Sequence, residues 1–221
     1  MDIKTAIDTY LEGSGKNKGR RPDERYTSFD YCYNYFYSFF RENKIEELAD
    51  ENNMQVSCLQ IGFFLASWGM IRASSPLLEK SARYYMPLIK SISEMDPILW
   101  KIDADCYNEE NIEILLNCKN QIFDALGKEN NPTDTRITKI MLGVFGNIPA
   151  YDTNVKNSSL KLKTMDRDSI LKIKDFYEKN SEIIDSYEIY TYDFLTSKET
   201  DLKYTKAKLV DMYGFIDGMP K

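Results

Sequence analysis

The chain contains no histidine among its 221 residues, and this absence excludes much chemistry. Ser-His and Cys-His nucleophile pairs are impossible, as is histidine-ligated zinc. Any general acid–base work falls to Asp, Glu, Lys, Tyr or Cys. Cysteine is scarce. The four thiols, Cys32, Cys58, Cys106 and Cys118, form no C-x-x-C pair, which argues against a zinc ribbon or a thioredoxin-like motif. Cys32 and Cys58 sit in apolar runs and are expected to be small core residues. Long hydrophobic runs are also lacking. The longest, IGFFLASWGMI (61–71), is too short to span a bilayer, and the polar start MDIKTAIDTYLE does not resemble a signal peptide. A cytoplasmic protein with reduced thiols and no membrane partner is expected. Positive charge is in deficit too: 29 Lys and Arg against 35 Asp and Glu give a net charge of −6, which argues against a broad basic face that coats DNA.

Three motifs fail on their spacing. GSGKNKG (13–19) has no G-K-[ST] ending and no preceding strand, so it is not a P-loop. DADCYNEENIE (103–113) lacks the EF-hand glycine and ligand spacing. NSS (157–159) matches a glycosylation sequon without a secretory route. No metal or cofactor is expected.

What is present is helical pattern. Hydrophobic residues make up 43% of the chain and charged residues 29%, ordinary values for a globular protein. Residues 2–11 form a short amphipathic helix that ends in the glycine-rich loop. TSFDYCYNYFYSFF alternates tyrosines like a strand, yet Phe29, Cys32, Phe36 and Phe40 fall at helical spacing and predict a helix capped by Thr27 or Ser28. MQVSCLQIGFFLASWGMIR (54–72) is apolar nearly all round and is expected to be the buried central helix, ended by SSP (74–76). Helical pieces follow at 77–94, 97–104 and 108–126, with Gly127 as a stop signal. NPTDT (131–135) starts another, which runs to about Phe145. Further helices are expected from about Thr153, over 165–180, over SEIIDSYEIYTYDFL (181–195) and over LKYTKAKLVDMYGFI (202–216). The expectation is one all-α domain over 1–221, with about ten helices and a flexible basic loop at 13–25.

That loop holds Lys16, Lys18, Arg20, Arg21 and Arg25 against Asp23 and Glu24. It reads either as a solvated loop or as a clamp for phosphate. A second candidate lies in TKIMLGVFGNIPAYDTNV (138–155). Asp152 stands at a helix start, where a carboxylate accepts backbone N–H bonds and meets the positive end of the dipole. It is therefore either a cap or a catalytic carboxylate.

The order of Lys139, a short apolar stretch, Pro149-x-x-Asp152 and then Val155 resembles the segment that carries the catalytic aspartate in helix-hairpin-helix DNA glycosylases. Where that family has an L-P-G-V-G hairpin, this chain has LGVFG (142–146). The resemblance implies that Asp152 stabilises positive charge on a sugar as its base leaves, with Lys139 on the helix before it. RPDERYTSFDYCYNYF, FFLASWGMIRASSPLLEK, TKIMLGVFGNIPAYD and KLVDMYGF resemble landmarks of an uncharacterised family of bacterial helical proteins. That likeness implies an intracellular bacterial protein, associated with defence or mobile-element genes. If the landmarks meet in space, the further polar candidates are Asp30, Arg72, Tyr151, Lys208 and Asp211. Arg72 follows the apolar helix and is expected to reach from the core toward a carboxylate. These groups are either structural ion pairs or a site for phosphate and nucleotide. Two functions stay open: a protein acting on nucleic acid or nucleotides, and a non-enzymatic module that binds another protein.

Overall fold

Helices begin where a short polar side chain can accept the first orphan N–H groups. In the computed structural model, which describes residues 1–15 and 18–220, Asp2 caps α1 (Ile3–Glu12), Asn108 caps α5 (Glu109–Ala125) and Thr133 caps α6 (Asp134–Phe145). Asp152 caps the single-turn α7 (Thr153–Asn157), Asp166 caps α8 (Arg167–Asp185) and Thr205 caps α9 (Lys206–Asp217). The aromatic-rich stretch is helical as α2 (Ser28–Arg41), but Thr27 makes no side-chain capping bond; its hydroxyl donates to the Arg21 carbonyl instead. The remaining helices are α3 (Glu51–Ser67) and α4 (Met86–Ser93). The architecture is all-α, with nine α-helices among the described residues and several 3₁₀ turns between them. None of these helices is long and apolar enough to cross a membrane.

Three expectations need correction. First, α3 stops at Ser67 rather than running to Arg72. Gly69 takes a left-handed conformation (φ +70°), its N–H reaches the Ala66 carbonyl and the Met70 N–H reaches the Leu65 carbonyl. This is a Schellman stop, and the signal was the glycine in WGM rather than the later SSP. Nor is α3 buried all round. Met54, Ser57, Cys58, Ile61, Phe64 and Leu65 face the core, whereas Val56, Leu59 and Phe63 are 43%, 49% and 70% exposed. Second, residues 77–104 resolve into 3₁₀ turns at Pro76–Glu79, Ala82–Tyr85 and Pro97–Trp100 around the short α4. Pro76, Pro87 and Pro97 open three of these pieces, where the missing N–H would be unpaired in any case and the fixed φ suits a helix start.

Third, the helix expected over 181–195 breaks after Asp185. Tyr190–Tyr192 forms β1, paired antiparallel with β2 (Glu199–Lys203), in register Tyr190 with Lys203 and Tyr192 with Glu199. Alternating aromatic and Thr side chains suit a strand, and Asp193 closes the turn by accepting bonds from the Thr196 N–H and hydroxyl. The closing helix accordingly starts at Lys206 instead of Leu202.

One contiguous apolar core draws on every α-helix. Two features place the site. Gly143 lets α6 approach α3: a Cβ there would lie 2.6 Å from the Phe64 ring. And α9 is buried almost throughout, with Lys208 and Asp211 inside the core.

Candidate functional site

Gly146 ends α6 in a left-handed conformation (φ +68°), its N–H bonded to the Leu142 carbonyl. Leu142–Phe145 are thus the last turn of a helix. The chain then runs through Asn147–Tyr151 to Asp152, whose extended backbone opens α7. Asp152 does two jobs. Its Oδ1 accepts the Val155 N–H at 3.1 Å, and its Oδ2 lies 3.5 Å from Lys139 Nζ. Lys139 Nζ also donates to the Trp68 carbonyl at 3.0 Å, at the negative end of the α3 dipole. The pair ties the end of α3 to the start of α7 and is largely sealed, its side chains 5% and 15% exposed. Burial lowers the Lys139 pKa below its ordinary value, against the pull of Asp152 and Asp211 and with the nearby Arg25 adding to the shift.

Asp211 Oδ1 accepts the Ala150 N–H at 3.0 Å, and its Oδ2 lies 2.8 Å from Lys208 Nζ. Lys208 also donates to the Tyr10 hydroxyl at 3.2 Å and stands 4.7 Å above the Phe29 ring. Arg25, an exposed residue, lies over Trp68 and Phe215, its guanidinium carbon 5.3 and 5.7 Å from the ring centroids. Lys139, Asp152, Asp211, Trp68, Phe64 and Phe215 line a crevice of about 10 Å³, room for one water molecule at most. Four segments far apart in the sequence therefore converge, contributing Arg25, Trp68, the Lys139–Asp152 pair and Asp211.

Other candidates lie elsewhere. Arg20 is buried, with Nε donating to the Tyr204 hydroxyl and Nη2 to Asp30 Oδ2, each at 2.7 Å, and to the Tyr190 carbonyl. Asp30 also accepts the Tyr204 hydroxyl and the Tyr192 N–H. Burial raises the Asp30 pKa, opposed by Arg20 and Tyr204. This network staples the basic loop and α2 to the hairpin, so Arg20 is not free to hold phosphate. The loop is tied at its backbone as well, since the Arg20 N–H bonds the Leu11 carbonyl. Lys18 pairs with Glu24, and Arg21 Nε donates to the Lys18 carbonyl. Lys16 lies outside the described residues. Arg72 is exposed beyond the end of α3, contrary to the expectation that it reaches from the core. Tyr151 is buried away from the crevice, its hydroxyl 2.8 Å from Ser169 Oγ.

Two features escaped the sequence. Arg136 on α6 is buried, and its Nε and Nη1 have no hydrogen-bond partner among the described residues. The larger concavity, about 660 Å³, lies between the first half of α3 and residues 81–90, with Met54, Cys58, Ala82 and Met86 on its apolar lining and Glu51, Arg83 and Lys90 as its charges. Comparison of the chain with family models, with curated proteins and with solved structures gives no match.

Proposed function

We propose that this protein is a non-enzymatic interaction module that holds a partner protein through the outward face of α3. The observation that carries the reading is the exposed apolar row of Val56, Leu59 and Phe63 on a helix whose opposite face is core. A contiguous exposed apolar patch is a recurrent mark of protein contact. The charged groups support the same reading by their occupation. Asp152 is held by a cap and by Lys139, Asp211 by Ala150 and Lys208, and the space between them takes no more than a water molecule. The crevice then serves as a joint that locks α3, α6, α7 and α9 together. Four free thiols are consistent with an intracellular setting.

One observation favours a second reading, in which Asp152 acts on nucleic acid as in the glycosylases: four separate segments bring cations, rings and carboxylates to one crevice. A single comparison separates the two. Fluorescence anisotropy against single-stranded, duplex and abasic DNA and RNA, at two salt concentrations, is run beside affinity isolation of partners from producing cells. Both use wild type, Phe63→Asp and Asp152→Asn. The interaction reading expects a partner lost with Phe63→Asp and kept with Asp152→Asn. Salt-sensitive nucleic-acid binding with turnover lost in Asp152→Asn and kept in Phe63→Asp overturns it.

A further inference from the structure

Residues 52–71 contain no Asp, Glu, Lys or Arg, although 29% of the whole chain is charged. The core explains only the inward half of that stretch. Its outward half is exposed and still uncharged, with Asn52, Gln55, Val56, Leu59 and Phe63 facing solvent. The exposed faces of the other long helices differ: α5 shows Glu109, Glu113 and Asp124, and α8 shows Lys172, Asp175 and Lys179. Depletion of charge around apolar side chains marks the core of a protein contact.

The outward residues also repeat. Asn52, Val56, Leu59, Phe63 and the half-buried Ala66 alternate steps of four and three, and at about 100° per residue they lie within an arc of about 80°. So narrow a stripe suits the seam between two helices rather than packing on a broad surface. In pairs of unlike helices, charges flanking the seam choose the partner. Here the flanking positions are Asn53, Gln55, Gln60, Gly62 and Ser67, so the flanks neither select an unlike helix nor repel a like one.

We infer that the partner is a second copy of this chain, with the two α3 helices antiparallel about a two-fold axis. The inference rests on the interaction reading and names what that face holds. A two-fold axis makes each contact twice. Centred at the level of Ile61, antiparallel pairing sets Leu59 of each copy against Phe63 of the other, and Val56 against Ala66. The two largest side chains then share the centre and the smaller ones close each end. The end charges fix the direction. α3 starts at exposed Asp50 and Glu51, and exposed Arg72 follows its end. Antiparallel pairing brings Arg72 of each copy to the acidic start of the other, whereas parallel pairing sets like charges together.

Sedimentation equilibrium of the full chain over rising concentration tests this. Wild type is expected to approach twice the 25.8 kDa chain mass. Phe63→Asp, at a site 70% exposed, is expected to keep the wild-type circular dichroism and to stay at 25.8 kDa. Glu51→Arg and Arg72→Glu are each expected to weaken the dimer at least ~3-fold, since each reverses two rim contacts, and E51R/R72E to restore wild-type affinity. A wild type that stays monomeric, or a dimer unmoved by Phe63→Asp, overturns the second-copy inference. A dimer in which E51R/R72E is no tighter than the single variants overturns the antiparallel pairing. A wild type that stays monomeric yet loses a captured protein with Phe63→Asp keeps the interaction reading and overturns this inference alone.

Discussion

Removing the charge of Asp152 tests whether the crevice is a joint. Asp152→Asn keeps an oxygen that can accept the Val155 N–H but leaves Lys139 buried without its nearest counter-ion. Removing one partner of a buried pair costs about 3–5 kcal/mol; with Asp152 partly exposed and the contact at 3.5 Å, the low end applies, about 3 kcal/mol. Asp152→Ala also loses the cap, about 1 kcal/mol more. Lys139→Met is expected to be milder. It removes the buried cation, leaves Asp152 capped, and forfeits mainly the bond to the Trp68 carbonyl, about 1–2 kcal/mol. The double variant Lys139→Met with Asp152→Asn is then expected to be more stable than Asp152→Asn alone. Urea unfolding at neutral pH measures all four, the midpoint carrying the change while the slope stays constant. Two results refute the reasoning: Asp152→Asn within about 0.5 kcal/mol of wild type, the scale of an ordinary surface substitution, or a double variant whose loss equals the sum of the singles, which means no coupling.

Arg136→Met is expected to leave stability unchanged or raise it by up to about 2 kcal/mol, because the wild-type guanidinium is buried with two nitrogens unpartnered; a loss above that size in urea unfolding refutes this. Gly143→Ala is expected to destabilise, opposite to its effect in an exposed helix. The new Cβ meets Phe64 at 2.6 Å, and overpacking costs about 1–3 kcal/mol against about 1 kcal/mol of helix propensity gained. Asp103 accepts the N–H groups of Ala104, Lys206 and Ala207, and burial pushes its carboxyl up to about 6. A carboxyl raised on folding contributes stability that is full below its unfolded pKa, about 4, and is lost as pH rises through about 6. Asp103→Asn is expected to flatten the pH dependence of the urea midpoint between those values, and an unchanged slope refutes the assignment.

The contrast between α3 and α2 shows what sequence can carry. In α2 the spacing of Phe29, Cys32 and Phe36 names the buried face, because a helix puts every third or fourth residue on one side. In α3 apolar residues stand on both sides, so periodicity has nothing to report and does not mark Val56, Leu59 and Phe63 as exposed. The hairpin is hidden for a related reason: EIYTY is short, and its strand character depends on partners seven and thirteen residues further on. The N-terminal signals of α5, α6 and α7 were legible, since a cap is a contact between residues three apart. Gly69 is an equally local signal: its left-handed turn ends α3 before SSP is reached.

By itself the sequence settled what is local or absent: helical class, the lack of histidine chemistry, and Asp152 at a helix start. Tertiary structure decided what each charge is for. Lys139 and Asp152 are 13 residues apart, Arg20 and Tyr204 are 184, and Lys208 and Tyr10 are 198. A side chain's partner across such distances is chosen by packing, and the burial that raises or lowers its pKa comes from helices that the local pattern does not name. The basic loop illustrates the point: its charges suggest an anion clamp, but folding brings Asp30 and the hairpin to Arg20, a pairing that no single segment encodes.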